Sequence, residues 1–151
     1  MQTRRKTIQH SAAVASLLAG AGLFPQHALA YTAAAFDAKS VNDAIKALGG
    51  GAPMASKDVV LTAPDIAENG AVVPMGVASS LPGVKYLALL VEKNPNALAA
   101  VFQVNDSIEA NMTTHAKMGQ SSDVYAVAIT NDGKAFFAKK EVKVTLGGCG
   151  G

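Results

Sequence analysis

From residue 58 onward, short apolar runs alternate with turn signals, and this spacing limits the fold more than any other feature of the sequence. Val84–Val91 has the length and composition of a buried β-strand. Asn94-Pro95-Asn96 is a turn signal, and a second apolar run over residues 98–104 follows it. The two runs therefore predict a β-hairpin.

The last predicted strand, residues 134–146, carries the clearest period-two pattern. Val142, Val144 and Leu146 share one face of this strand, while charged side chains occupy the other. The preceding Asn131-Asp132-Gly133 is typical of a hairpin turn. It therefore links the last strand to the apolar run before it.

Three weaker segments bring the total to about seven strands at short spacing. One of them contains Pro74 and Gly76, which favour an edge strand or a bulged strand. The segments cover residues 59–61, 72–78 and 108–118. This pattern predicts an all-β fold, an antiparallel β-sandwich of immunoglobulin-like type. Only the architecture is indicated, because one cysteine and no tryptophan exclude the Cys…Trp…Cys pattern of antibody domains.

A short helix is predicted over residues 40–48, ahead of the strands. Ser40 has the character of an N-cap, and Asp43 follows it at capping-box spacing. Gly49-Gly50-Gly51 ends the helix, and it lacks the lysine and hydroxyl of a phosphate-binding loop. The helix would bury one apolar face, formed by Val41, Ala44, Ile45 and Leu48.

The first thirty residues predict a cleaved export signal. Arg4 and Arg5 stand before an apolar stretch, residues 12–24, and Ala28-Leu29-Ala30 has the small-x-small pattern of a cleavage site after Ala30. The paired arginines favour the twin-arginine route, although Thr7 stands where an aromatic residue is usual. A general secretory signal and an uncleaved anchor remain alternatives. We expect a bacterial periplasmic protein.

The predicted leader also carries the basic charge. The chain has 13 basic and 11 acidic residues, whereas residues 31–151 keep ten basic and eleven acidic ones, a net charge of −1. A near-neutral domain lacks the basic footprint of a nucleic-acid-binding protein. No uninterrupted apolar run reaches the roughly 18 residues of a membrane span. We therefore expect neither nucleic acid nor membrane as a partner.

The only thiol of the chain lies in Gly147-Gly148-Cys149-Gly150-Gly151. Glycine carries no side chain that could pack, so residues 147–151 predict a flexible C-terminal arm after a sandwich domain of residues 31–146. At about 3.3–3.6 Å per residue, Cys149 can reach roughly 10 Å beyond Leu146. The thiol could carry a covalent group, or it could form a disulfide between two copies of the chain.

The remaining candidate residues favour structural roles. A single cysteine excludes a zinc site built from several thiolates, and His115, the one histidine after residue 30, is expected at the surface or in strand pairing. Lys139, Lys140 and Lys143 precede the arm, where they form a solvated strand face or attract an anionic adduct. Four methionines are expected to fill the core: Met54, Met75, Met112 and Met118.

Three motifs together carry a resemblance to a known family. They are the terminal pentapeptide at residues 147–151 after the strand Glu141 to Leu146, the segment Pro64-Asp65-Ile66-Ala67-Glu68-Asn69-Gly70 with Val73-Pro74, and Glu92-Lys93-Asn94-Pro95-Asn96. Over residues 37–151 the sequence resembles the SoxY family, the sulfur-carrier subunits of the bacterial thiosulfate-oxidising (Sox) system. Charge is sparser than in the family between Val72 and Tyr86.

The resemblance implies a carrier without turnover of its own and without a metal or haem. Substrate would be attached covalently to Cys149, first as an S-thiosulfonate that the haem enzyme SoxAX forms. SoxB, a metal-dependent hydrolase, would release sulfate, and a sulfur dehydrogenase, where present, would oxidise the remaining sulfane sulfur. The carrier would pair with a SoxZ-like subunit. The alternative is an exported interaction module whose cysteine only forms an intermolecular disulfide.

Overall fold

The computed structural model describes residues 33–146. Residues 33–37 are helical, and one further helix, α1, precedes nine strands. The bounds are α1 Val41–Ala47, β1 Pro53–Ala55, β2 Val59–Thr62, β3 Ile66–Ala67, β4 Val73–Ser79, β5 Val84–Val91, β6 Leu98–Gln103, β7 Asn111–Ala116, β8 Ser122–Thr130 and β9 Ala135–Val144.

The strands form two sheets. The large sheet has the order β1-β9-β8-β5-β6, with β3 paired to β9 as well, and the small sheet has the order β2-β4-β7. Both predicted hairpins, β5–β6 and β8–β9, are confirmed as antiparallel pairs. The predicted all-β sandwich is confirmed, with one addition: β1 and β3 pair with β9 in parallel.

The helix confirms its predicted caps and face. The Ser40 hydroxyl accepts a hydrogen bond from the Asp43 N–H at 3.1 Å, as an N-cap should. Gly49 has a φ of +83°, which glycine adopts without a steric penalty. All four predicted apolar residues of the helix are buried. They pack against the outer face of the large sheet.

The central strand β5 is covered on both faces, by the small sheet on one side and by the helix on the other. Leu87 and Leu89 belong to the core between the two sheets. Ala88 and Leu90, which alternate with them, belong to the core beneath the helix. A strand buried on both faces has a continuous apolar sequence, and residues 87–91 of β5 have this pattern.

Several strand predictions are wrong in detail. The two short strands β1 and β3 were not predicted. The segment with Pro74 is the central strand of the small sheet, without a register shift. Pro74 is tolerated because β2 pairs only with Gly76–Ser79, so Pro74 has a neighbour on the β7 side alone. Leu146 lies beyond β9 and is exposed, and Met54 is exposed instead of filling the core.

The β8–β9 turn contains a carboxylate with a strongly shifted pKa. The Thr130 hydroxyl donates a hydrogen bond to Asp132, and the Lys134 ammonium lies 3.1 Å from the same carboxylate. In that order, these two contacts lower the pKa of Asp132 from 3.8 to about 2. Folding therefore stabilises the ionised form of this carboxylate.

We predict that Asp132→Asn removes part of the acid dependence of stability. Because the folded pKa of Asp132 is depressed, its contribution is fully present above pH 4 and is lost as the pH falls toward 2. The variant should melt below the wild type at pH 7, and the two melting temperatures should converge near pH 2. Thermal unfolding followed by circular dichroism at several pH values measures this difference, and a constant gap would contradict the prediction.

Candidate functional site

The predicted functional residues fall largely outside the described part of the chain. Cys149, with Gly147, Gly148, Gly150 and Gly151, lies outside residues 33–146, as do Arg4, Arg5 and the cleavage position after Ala30. The structure does describe the point where the predicted arm would begin, at Leu146. The candidate site is therefore built from the residues that hold this point.

Residues 62–73 hold the end of β9. They leave the small sheet after β2, pair with the last strand of the large sheet through β3, and return to the small sheet at β4. In β3, Ile66 and Ala67 pair with Lys143 and Val144. The Lys143 N–H also donates to the Asp65 carbonyl at 2.9 Å. We call residues 64–70 the clamp segment.

The clamp segment continues past the end of β9. The Thr145 N–H donates to the Ala67 carbonyl at 3.1 Å, and its hydroxyl donates to the Glu68 carbonyl at 3.2 Å. The Leu146 carbonyl accepts from the Gly70 N–H at 2.8 Å. The backbone is therefore fixed up to Leu146, the last described residue.

A second loop, residues 117–121, holds the same end of β9 from another side. The Ser121 hydroxyl accepts a hydrogen bond from the Val144 N–H at 2.9 Å. The Met118 N–H donates to the Gly70 carbonyl at 2.7 Å, which connects this loop to the clamp segment. The loop thus links β9 and the clamp segment into one hydrogen-bonded unit.

The motif at residues 92–96 supports that loop. The Asn94 side-chain amide donates to the Lys117 carbonyl at 2.6 Å, and its oxygen accepts from the Gly119 N–H at 3.3 Å. The Lys93 N–H donates to the buried hydroxyl of Ser122 at 3.0 Å. Both internal motifs that carry the family resemblance therefore help to hold the end of β9, where the predicted arm would begin.

One ion pair reinforces the clamp segment. The Lys140 ammonium lies 2.7 Å from a carboxylate oxygen of Asp65, and it donates to the Ala63 carbonyl at 3.0 Å. The hydrogen bond from Lys140, followed by its charge, lowers the pKa of the exposed Asp65 carboxyl. Lys140 therefore has a partner, and it does not belong to a simple solvated face.

The two other lysines near the arm differ from Lys140. Lys139 pairs with Asp123 at 2.9 Å. Its pKa is raised, chiefly by the hydrogen bond to Asp123. Lys143 is exposed, in register with Ile66. The three lysines thus form no common anion site.

The outward face of the small sheet carries no Asp, Glu, Lys or Arg side chain. The cross-strand register places Thr62, Gly76 and Thr113 side by side there, and Pro74 beside His115. The remaining members are Val60, Ala78 and Asn111. His115 is exposed and paired, in agreement with the expectation from the sequence. We call this set of eight residues the uncharged face.

A groove of about 430 Å³ lies on the uncharged face. Thr62, Pro74 and His115 contribute to its lining. Gly76 lies between two threonines, and a Cβ atom there would be 3.3 Å from the Thr113 methyl group and 3.4 Å from the Thr62 Cβ. The absence of a side chain at Gly76 thus keeps the groove open.

Within residues 33–146, no group of three or more His, Cys, Asp or Glu side chains could hold a metal ion. Nor does a helix of the described chain have the length and apolar character needed to cross a bilayer.

Cys149 could be identified from the sequence, but the residues that hold the end of β9 ahead of it could not. The clamp segment acts mainly through backbone hydrogen bonds, and Ser121 acts through a single hydroxyl that accepts from a backbone N–H. Neither leaves a periodic side-chain pattern. The available signal was the polar motif Pro64–Gly70 itself. It is too polar for a core strand, yet it stands between two strands of the same sheet.

Comparison with known proteins identifies the relatives of this chain. The family model described as sulfur oxidation protein SoxY matches residues 45–149. A solved structure of the sulfur carrier protein SoxY from Chlorobium limicola f thiosulfatophilum is 32% identical, with a TM-score of 0.63, over 71% of this chain and 97% of that chain. No curated protein matches the chain.

A second solved structure shares the fold alone. It is the superoxide reductase (neelaredoxin) from Ignicoccus hospitalis, which is 18% identical with a TM-score of 0.51. The match covers 57% of this chain and 79% of that chain.

We predict that Ser121→Ala loosens the end of β9. The Val144 N–H would lose its acceptor in a partly buried position, which costs about 1 kcal/mol. Amide hydrogen exchange at Val144 should accelerate about fivefold, since 1.4 kcal/mol corresponds to a factor of ten. Ser107→Ala, in an exposed loop where the serine backbone makes the hydrogen bond, is the matched control. Unchanged exchange at Val144 would refute this role of Ser121.

Proposed function

Because the chain belongs to the SoxY family of sulfur oxidation proteins, we propose that Cys149 is the covalent attachment site of a sulfur carrier. Thiosulfate is joined oxidatively to the thiol by a haem enzyme of the SoxAX type, giving a cysteine S-thiosulfonate. A SoxB-type hydrolase then releases sulfate by hydrolysis and leaves a persulfide. A sulfur dehydrogenase, where present, oxidises that sulfane sulfur.

The single observation that carries this proposal is the family match, which extends to Cys149. The described structure supports it by fixing the backbone up to Leu146, three residues before the thiol. A fixed origin restricts the volume that the thiol can explore. Restriction of this kind raises the effective concentration of the cargo at a docked enzyme.

The chain's contribution to each reaction is to present the thiol. Glycines on both sides of Cys149 leave only backbone around the sulfur, so the arm can enter a narrow cleft. Covalent attachment prevents the loss of reactive intermediates between steps. The partner enzymes provide the haem, the metal and the turnover, and the carrier has no catalytic cycle of its own.

We place a SoxZ-like subunit on the uncharged face. The helix already covers the outer face of the large sheet, whereas the outer face of the small sheet has no covering element within residues 33–146. An exposed sheet face without charges is unusual for a solvated surface and typical of the centre of an interface. The groove at Gly76 offers a recess for a partner side chain.

We propose that residues 1–30 are an export signal that directs the carrier to the periplasm. We propose the twin-arginine route from Arg4 and Arg5, with cleavage after Ala30. That route transports folded proteins. It would therefore allow the carrier to fold and to meet its partner subunit before export.

An interaction module with a Cys149–Cys149 disulfide is the competing function. It predicts a reducible homodimer without sulfur adducts. The two functions differ in the mass of the Cys149 peptide, so one measurement separates them.

We predict that Cys149→Ser abolishes sulfur loading and thiosulfate-dependent respiration while the fold stays intact. The hydroxyl cannot form the sulfur–sulfur bond that holds the cargo. Intact mass and peptide mapping of protein from thiosulfate-grown cells, with and without reductant, check the loading. Circular dichroism checks the fold. Normal thiosulfate oxidation in the variant, or only a disulfide dimer in the wild type, would refute the carrier function.

The glycines after the thiol give a second prediction. Deleting Gly150 and Gly151 should slow loading by the partner enzymes and leave the unfolding midpoint in urea unchanged, because the arm is proposed to pack on nothing. Loading is followed by mass spectrometry over time. Unchanged loading kinetics would count against a role for this flank.

A third prediction concerns the partner subunit. Thr113→Glu places a charge at the centre of the uncharged face and should weaken association with the SoxZ-like subunit at least tenfold, because the carboxylate would be desolvated. Ser107→Glu, which adds the same charge in an exposed loop, should leave association unchanged. Analytical ultracentrifugation of the two-subunit complex measures the effect, and equal association of both variants with the wild type would rule out this face.

A further inference from the structure

Strand β6 is an edge strand that lacks the usual protection against pairing with another chain. It pairs with β5 on one side, and no strand of residues 33–146 lies on its other side. Its six residues, Leu98–Gln103, include no charged residue and no proline. Edge strands of natural proteins are commonly very short, or they carry lysine or proline, because these features oppose pairing between chains. The exposed edge of β6 is therefore available for a further strand.

The other sheet edges are protected or already assigned. β1 has three residues and begins with Pro53, and β2 has four residues. β7 belongs to the uncharged face, on which we place the SoxZ-like subunit. β6 is therefore the long edge strand that stays open in the described part of the chain.

The backbone of β6 directs hydrogen-bonding groups away from β5. The Val104 N–H, directly after the strand, donates to the Lys85 carbonyl of β5 at 2.9 Å. Backbone groups of successive residues in an antiparallel pair alternate between the two sides of the strand. The register with β5 is continuous here, so the groups of Phe102 also point to β5. The N–H and C=O groups of Val101 and Gln103 consequently point outward.

We propose that two copies of this chain pair through β6, antiparallel, about a two-fold axis at Phe102. Val101 of each copy then lies opposite Gln103 of the other copy, and the outward groups of these residues complete four hydrogen bonds. The occupant is a second copy because the added strand must itself be open and uncharged, and β6 meets this requirement. Two-fold dimers are also the commonest oligomers of soluble proteins.

Phe102 supplies the apolar centre of this contact. Its side chain is half-buried and packs against the core between the two sheets. At the axis the two Phe102 residues form a non-hydrogen-bonded pair, in which cross-strand side chains approach most closely. The cores of the two copies would therefore become continuous. Because β6 carries no charge, the axis brings no like charges of this strand together.

The pairing keeps the two arms apart. The order β9-β8-β5-β6 places three strand spacings in each copy, and the pairing adds one across the axis. At about 4.8 Å each, these spacings separate the two β9 strands by about 34 Å. The two-fold axis also turns the ends of these strands to opposite ends of the joined sheet. Arms that each reach roughly 10 Å cannot meet, so this dimer contains no Cys149–Cys149 disulfide.

Sedimentation analysis of the mature chain with Cys149→Ser tests this pairing, because the variant cannot form a disulfide. We expect a reversible dimer whose fraction rises with protein concentration. Val101→Pro should weaken dimerisation at least tenfold, since it removes an N–H that only the second copy would use. Proline at an edge position whose N–H points outward is compatible with the sheet, so the variant should fold.

Gln103→Lys gives a second variant at an exposed side chain. It brings two positive charges close to the axis and should also weaken dimerisation at least tenfold. Ser107→Lys adds the same charge in an exposed loop, and it should leave dimerisation unchanged. Urea unfolding of each variant verifies that the fold is kept.

Amide hydrogen exchange locates the contact within β6. The N–H groups of Val101 and Gln103 should exchange at least tenfold more slowly when the dimer prevails than when the monomer prevails. The Phe102 N–H, which points to β5, should be equally protected at both concentrations. This alternation distinguishes strand pairing from a general covering of the surface.

The outcomes separate this proposal from the others. A chain that stays monomeric at every concentration, or edge variants that dimerise as the wild type does, would overturn it. Thr113→Glu should leave dimerisation unchanged; loss of the dimer in that variant would assign self-association to the uncharged face and would also overturn it. The carrier function is judged by sulfur on Cys149, so either proposal can fail without the other.

Discussion

Burial of the central strands β5 and β8 on both faces is the constraint on which the rest of the structure depends. Leu87 and Leu89 need the small sheet as a cover, whereas Ala88 and Leu90 need the helix. The small sheet and the helix are therefore both required, because removing either one would expose a core face of the large sheet. The same arrangement leaves one sheet face uncovered among the described residues, the outward face of the small sheet, and that face is uncharged.

The clamp segment uses both sheets to fix one point. It leaves β2 in the small sheet, pairs with β9 in the large sheet and returns to β4 in the small sheet. Leu146 is therefore positioned relative to the whole sandwich, and the end of β9 cannot fray without breaking bonds to Ala67, Gly70 and Ser121. If the proposed arm begins here, the fixed origin would direct the Cys149 thiol toward one region of the surface, whereas a flexible base would not.

The sequence allowed prediction of the elements whose signals are local. Ser40 and the helix face, the two hairpins and the continuous apolar run of β5 all depend on residues close to one another in the chain. The strands β1 and β3 were missed because they have three and two residues and exist only through pairing with the distant β9. Cys149 could be identified from composition alone. The clamp segment could not, because it holds Leu146 through backbone hydrogen bonds, which composition does not reveal.

A fixed origin and a reach of about 10 Å determine how such a carrier would work. The thiol could not pass between two clefts while both enzymes are docked, because both cleft rims would have to lie within that distance of Leu146. The carrier must therefore leave one enzyme before it serves the next, and docking has to be weak enough to be reversed. A small contact area satisfies this condition, since transient complexes lie at the low end of interface sizes, below about 1,200 Å². Covalent attachment, rather than tight docking, is then what retains the intermediate between steps.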